Sequence, residues 1–211
     1  MIRDDLSDRL VHLTKGATEV EVADRFVSIM RDRVLLGGTG LIRGGYRCVC
    51  FTEAPIAKLA AILAQPSIHG MPYAPFGVML AKDTLFSAGG RPVIYQPESE
   101  FHMLDESQRY RHKDYEPGKV PDFSWEREWR VHADRLSLDP DAVTLVVPNR
   151  LWSDYFFRQH AGTQEGARWF DADMGVGKCP WHFLVIEDLG ITVKFDHVPW
   201  CDKTEKVSRN L

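Results

Sequence analysis

Cysteine is scarce in this chain, with four residues in 211. That is too few for a disulfide framework, and Cys48 and Cys50, one residue apart, are poorly spaced for a mutual bridge. No C-x-x-C occurs, nor any Cys/His pair at zinc spacing. An excess of positive charge is also missing. Lys and Arg number 26 against 30 Asp and Glu, a formal net charge of −4. This argues against one large basic face for nucleic acid, while a local basic loop stays open. No run approaches the roughly 20 apolar residues of a membrane-spanning helix. The opening MIRDDLSDRLVHL is charged and lacks the apolar stretch of a signal peptide. The expectation is a reduced, cytoplasmic protein with no structural metal and no membrane partner.

What is present is ordinary for a globular domain: 44% hydrophobic, 27% charged and 11% aromatic residues, with 16 Gly and 12 Pro. A chain of this length can bury about 70% of its unfolded surface. Repeats and Ser/Gly/Pro-rich linkers are absent from the sequence, so residues 1–211 read as a single domain. The charged residues 202–211 read as a frayed tail.

Residues 10–14 read as a first strand. Thr18 and Glu21 then form a T-x-x-E capping box, followed by Val22, Phe26, Ile29, Met30 and Val34 at helical spacing. Gly37 and Gly38 are the expected stop of that helix. The glycine turn at 37–40 lacks the G-x-x-x-x-G-K-[ST] pattern and reads as a helix-to-strand turn, not a phosphate loop. Strands are expected at 46–53, 76–81, 92–95, 125–132 and 143–147, with helices at 55–64 and 149–160. A closing hairpin is expected over 182–198. Residues 96–122 read as a long loop, of the kind that is usually functional or mobile. Short strands that do not alternate strictly with helices predict an α+β class.

The most informative segment is Asp122-Phe-Ser-Trp-Glu-Arg-Glu-Trp-Arg-Val-His132. Read as a strand, it turns Glu126, Glu128, Arg130 and His132 to one face and Trp125, Arg127, Trp129 and Val131 to the other. Two carboxylates roughly 7 Å apart on one face repel, which raises the proton affinity of one. The alternative is a solvated edge strand whose glutamates pair with arginines. The flanking tryptophans and the aromatic loop favour a semi-enclosed cleft. Within that loop, Arg109-Tyr110-Arg111-His-Lys113 interleaves cations and aromatics, the pairing that holds single-stranded nucleic acid; the alternative, which sequence alone favours, is a solvated loop with a few charges.

A histidine and threonine on a first strand, a helix after it, and Glu-x-Glu on a later strand behind a long loop together resemble the ADP-ribosyltransferase fold. The layout is similar to DarT-type bacterial toxins and to a related group linked with abortive phage infection. The segments that carry the likeness are Cys-Phe-Thr-Glu-Ala-Pro (50–55), Gly-Arg-Pro-Val-Ile-Tyr (90–95) and Phe-Ser-Trp-Glu-Arg-Glu-Trp-Arg (123–130). It covers residues 8–150 loosely. Lys15-Gly16 stands where the toxins carry an asparagine, and Phe51-Thr52-Glu53 where they carry Ser-Thr-Ser.

The resemblance implies two small packed antiparallel or mixed sheets with flanking helices and NAD, as substrate, bound between them. It makes Glu128 the residue that holds the ribose 2′-hydroxyl and stabilises positive charge on the ribose. Glu126 would orient or deprotonate the acceptor. His12 and Thr14 would meet the adenosine half, Tyr46 or Tyr95 would stack on nicotinamide, and Arg43, Arg47 or Arg91 would pair with the pyrophosphate. The loop over 96–124, with Phe123, Arg109, Tyr110 and Arg111, would meet the acceptor, a nucleic acid or a protein. A cognate antitoxin or defence-system component is the implied partner. Two other functions are weighed: a non-catalytic relative acting as antitoxin or nucleotide-binding module, and a Mg²⁺-dependent nuclease using Glu126, Glu128 and His132.

Overall fold

The computed structural model describes residues 7–63, 73–119, 122–161, 170–171, 176–177, 179–195 and 197. The expected tail at 202–211 lies outside them, as does Ala64 at the end of the second expected helix. In chain order the elements are β1 (Arg9–Leu13), α1 (Glu19–Asp32), β2 (Val34–Leu36), β3 (Cys48–Thr52), α2 (Ile56–Leu63), β4 (Gly77–Ala81) and α3 (Lys82–Ser87). There follow β5 (Arg91–Pro92), β6 (Ile94–Gln96), β7 (His112–Asp114), β8 (Glu128–His132), β9 (Arg135–Ser137) and β10 (Val143–Val147). The remainder are α4 (Arg150–Ala161), β11 (Phe170–Asp171), β12 (Val176–Gly177) and β13 (His182–Val185). This is a mixed α+β fold.

Helix α1 begins as its capping box requires: the Thr18 hydroxyl accepts from the Glu21 N–H at 3.2 Å. The Glu21 carboxylate reaches one residue further back than expected, to the Ala17 N–H at 3.0 Å. The expected stop at Gly37 is corrected. Arg33, in the left-handed region with φ 52°, ends the helix, and Val34 joins β2. The glycine turn therefore follows a short strand. Gly37 is obligatory for another reason: a Cβ there would meet the Ala133 carbonyl oxygen at 2.1 Å.

Seven strands hydrogen-bond in the order β13-β10-β4-β1-β3-β8-β5, and β2-β9, β6-β7 and β11-β12 form two-stranded ladders beside them. The sheet is nearly divided. On one side β1 pairs β4 over five residues, from Arg9–Ala81 to Leu13–Gly77. On the other it pairs β3 at Val11–Thr52 alone. The β13-β10-β4-β1 half and the β3-β8-β5 half are thus joined at one register position, and beyond it the strands part.

Alternation along these strands builds two cores. Leu10, Val49, Phe51, Val78, Leu80, Trp129, Val131 and Leu145 pack beneath α1 and α4, against Val22, Phe26, Trp152 and Phe156. On the opposite face Val11, Leu13 and Val146 meet Leu59, Ala60 and Leu63 of α2. The face of β3 and β8 that carries Cys50, Thr52, Glu128 and Arg130 lines a cleft instead. Cross-strand pairs Thr52–Glu128 and Cys50–Arg130 set those four side by side.

Three further expectations are corrected. The segment at 125–132 is strand only from Glu128, because Ser124–Glu126 forms a 3-10 turn and Arg127 takes φ 47°. The loop over 96–122 contains two 3-10 turns and β7, which pairs in parallel with β6. Among the described residues the closing hairpin is not seen: β13 pairs in parallel with β10, and residues 191–195 carry no strand, while 196 and 198 of the expected span lie outside those residues.

Gly77 faces the Leu13 position of β1, and a Cβ on it would meet the His12 carbonyl oxygen at 2.6 Å. Gly77→Ala is expected to cost about 1–3 kcal/mol through forced displacement of β1, read as a lower denaturation midpoint with an unchanged slope.

Candidate active site

A cleft of ≈ 710 Å³ opens where β1 and β3 part. Its polar lining includes His12 of β1, Thr14 and Lys15 just beyond it, Glu128 and Arg130 from β8, Glu126, Tyr73 and Lys113. The lining also includes the apolar Ile29, Val34, Leu36, Leu41 and Ile42, with Arg25, Ser28 and Asp32 close to them in sequence. Leu36 and Leu41 are 65% and 79% exposed.

Glu128 is buried and held by Arg130, which is 1% exposed. The Arg130 Nε donates to Oε1 at 2.8 Å and Nη2 to Oε2 at 3.2 Å, a planar two-point grip. Nη1 of the same guanidinium donates to the carbonyls of Tyr110 and His112 at 2.7 and 2.9 Å. Lys113 Nζ stands 3.7 Å from Oε2. Burial works against the charged form of Glu128, but the Arg130 hydrogen bonds and charge, with Lys113, outweigh it and hold its carboxyl below the usual range.

Glu126 is drawn the opposite way. Burial raises its carboxyl above the usual range, and the nearby Glu128 charge adds to this against the hydrogen bond from Tyr73. That hydrogen bond runs from the Tyr73 hydroxyl to Oε1 at 2.7 Å. The Glu126 backbone is tied to β3, its carbonyl accepting from Thr52 Oγ1 at 2.6 Å and from the Glu53 N–H at 3.1 Å. Glu126 therefore reaches the cleft from the 3-10 turn and not from the strand face. The same turn brings Trp125 into the cleft lining, where strand alternation places it on the far side.

His12 fills the gap left when the β1–β3 ladder opens. Its Nδ1 lies 2.8 Å from the Cys50 carbonyl oxygen, so Nδ1 carries the proton and Nε2 is the acceptor. Burial lowers its pKa, which keeps it neutral near pH 7, and Lys15 acts in the same direction. The Thr14 hydroxyl donates to the Phe76 carbonyl at 3.0 Å and is buried. Burial pushes the Cys48 thiol up to about 11 and the Cys50 thiol up to about 12, so neither is a nucleophile near neutral pH.

The structure brings together Glu126, Glu128, His12, Thr14 and Phe123, all of which line the cleft. It places the other expected residues outside that lining. Arg43 bonds the Glu98 carbonyl at 2.7 Å and lies 4.2 Å over Phe101. Arg47 bonds the Gly37 carbonyl at 2.7 Å and Asp134 at 3.0 Å. Arg91 sits 3.9 Å over Phe86 and donates to backbone carbonyls. Arg109 and Arg111 are tied to the carbonyls of Leu104 and Pro92. Tyr46 and Tyr110 pack on His132, edge-on at 5.3 Å and stacked at 5.1 Å. Tyr95 stands behind Glu128, its hydroxyl accepting the Glu128 N–H at 3.1 Å.

Sequence reasoning missed Tyr73, Lys15 and Lys113 as cleft residues and placed Arg130 only as a facing neighbour. Arg130 alone had a local signal, since i and i+2 share a strand face. Tyr73 and Lys113 arrive from elements 53 and 15 residues away from Glu126 and Glu128, a juxtaposition that only the tertiary fold makes.

Two stability outcomes follow. Glu128→Ala strands a buried guanidinium and is expected to cost about 3–5 kcal/mol, roughly 10 °C in Tm; Glu128→Gln keeps an acceptor and costs less. For Glu126 the sign is reversed. A carboxyl raised in the folded state destabilises once the pH exceeds its ordinary unfolded value. Glu126→Gln is therefore expected to raise Tm at neutral pH, with the gain vanishing as the pH falls to about 4. Thermal melts across pH check both.

Comparison with protein-family models, with curated proteins and with solved structures finds no match to this chain.

Proposed function

We propose that this chain is an NAD-dependent ADP-ribosyltransferase of the bacterial toxin or phage-defence type, transferring ADP-ribose to nucleic acid or protein. The observation that carries the reading is the unlike setting of two neighbouring carboxylates in one cleft. Glu128 is gripped by the Arg130 guanidinium at 2.8 and 3.2 Å, and Glu126 is bonded by the Tyr73 hydroxyl at 2.7 Å. Against burial, the grip favours the anion at Glu128, while burial draws Glu126 toward its neutral form. Cleaving the bond between nicotinamide and ribose builds positive charge on the ribose, and Glu128 supplies a fixed negative charge opposite it. Glu126, with higher proton affinity, suits removal of a proton from the acceptor.

Other features support the reading. The expected pair of packed sheets is instead one hydrogen-bonded sheet, but its halves, joined at Val11–Thr52, leave a cleft between them as the resemblance implies. The cleft volume falls within the roughly 300–1,000 Å³ of ligand sites. Neutral His12 offers Nε2 to a ribose hydroxyl. Lys15 and Lys113 take over the pyrophosphate role first given to Arg43, Arg47 or Arg91, since both lysines line the cleft. Tyr73 and Trp125 replace Tyr46 and Tyr95 as aromatic surfaces beside the carboxylates.

One observation favours the second reading, a non-catalytic nucleotide-binding module or antitoxin. Both Glu128 oxygens are already engaged by Arg130. The nuclease reading loses its ligand set. His132 sits at the exposed end of β8 against Tyr46 and Tyr110, and among the described residues no group of three His, Cys, Asp or Glu side chains is placed to hold a metal ion.

The deciding measurement is nicotinamide release from NAD by the purified protein, alone and with DNA, RNA or lysate. Under the transferase reading Glu128→Gln lowers release at least about 100-fold while keeping the wild-type fold. Absence of release together with an NAD-dependent rise in Tm selects the binding module. Absence of both removes NAD from the account.

A further inference from the structure

We infer that Tyr73 is the positioning residue that fixes the Glu126 side chain for proton transfer on the acceptor side of the cleft. The inference rests on the transferase reading. The backbone of Glu126 is anchored by Thr52 Oγ1 and by the Glu53 N–H, but those contacts end at its carbonyl and leave the carboxylate to be aimed. Tyr73 aims it, donating from its hydroxyl to Oε1 at 2.7 Å. The ring is itself held, with Lys15 Nζ 4.5 Å from its centroid.

A phenol suits this place better than a lysine or a second acid. Burial and the adjacent Glu126 push its own proton affinity up, so it stays protonated and does not compete as a base. A hydroxyl both donates and accepts. It therefore donates to the Glu126 carboxylate before transfer and accepts from the Glu126 carboxyl after it. In the step itself the acceptor's proton passes to Glu126 and the acceptor's freed electron pair bonds the ribose carbon. Nicotinamide leaves with the electron pair of the broken bond. The charged groups facing Glu126 are Glu128 from β8, Lys113 from β7 and Lys15 beyond β1. Glu128 opposes ionisation of Glu126 and the two lysines favour it.

The test is a carboxyl titration of the full chain by ¹³C NMR, with the Glu126 resonance assigned through Glu126→Gln. In Tyr73→Phe the Glu126 midpoint is expected to rise, because the donor that favoured the anion is gone. Transfer in that variant is expected to fall about tenfold at the acid end of the pH profile and to recover at the alkaline end, with KM for NAD within about twofold. 3-Fluorotyrosine at position 73 keeps the shape and strengthens the donor, so it is expected to lower the midpoint, which keeps the test decisive should the phenylalanine variant fail to fold. A midpoint unmoved by either change overturns the inference, as does a loss of transfer equal at every pH. A wild-type protein that releases no nicotinamide overturns the transferase reading by itself, because the titration reads the Tyr73 contact without turnover.

Discussion

The buried pair of Arg130 and Glu128 is the interaction on which the site depends. Four of the five guanidinium N–H groups are spent, two on the Glu128 oxygens and two on the carbonyls of Tyr110 and His112. Desolvating two charges is costly, and the geometry must be good to offset it. Here each of those four N–H groups meets its acceptor at 2.7–3.2 Å. The pair keeps Glu128 ionised in a half-enclosed cleft. It also fastens the 3-10 turn Glu106–Arg111 and β7 of the long loop to the central sheet. Charge and loop position are thereby coupled through one side chain.

The cleft exists because the sheet is weakly joined. A β1–β3 ladder of full length would close the space between the halves. Instead it stops at Val11–Thr52, and the His12 imidazole takes the Cys50 carbonyl that backbone pairing would otherwise use. The unmet hydrogen bond of an interrupted ladder is thus satisfied by a side chain. That exchange fixes the tautomer of His12 and leaves Nε2 as its acceptor nitrogen. The same economy operates at Glu126, whose carbonyl completes contacts from Thr52 and Glu53 where the strand has ended.

Two carboxylates two positions apart acquire opposite character from their partners. Glu128 has a cation on each side; Glu126 has a phenol and a neighbouring anion. Distance along the chain says nothing about this division. The guanidinium is local to Glu128, whereas Tyr73 lies 53 residues from Glu126. The arginines that composition offered for an anionic ligand, at 43, 47 and 91, are instead consumed by backbone carbonyls and aromatic faces at the periphery. A long side chain reads the same in sequence whether it is tied to backbone or free in a cleft.

Local patterning determined much of the architecture. Apolar spacing and a capping box place α1, alternation places β1, β3, β4 and β10, and the ratio of strands to helices gives the α+β class. The grouping of Glu126, Glu128, His12, Thr14 and Phe123 came from the resemblance and not from patterning; all five line the cleft. Patterning misjudged positions where the backbone turns on a single residue, since Arg33 and Arg127 take left-handed conformations with no glycine to announce them. Tertiary structure alone decided that β13 returns in parallel beside β10, that the sheet parts beyond Val11, and that Tyr73, Lys15 and Lys113 surround the carboxylates. Those outcomes depend on contacts between distant segments, whose energies are set by what each segment meets and not by its own residues.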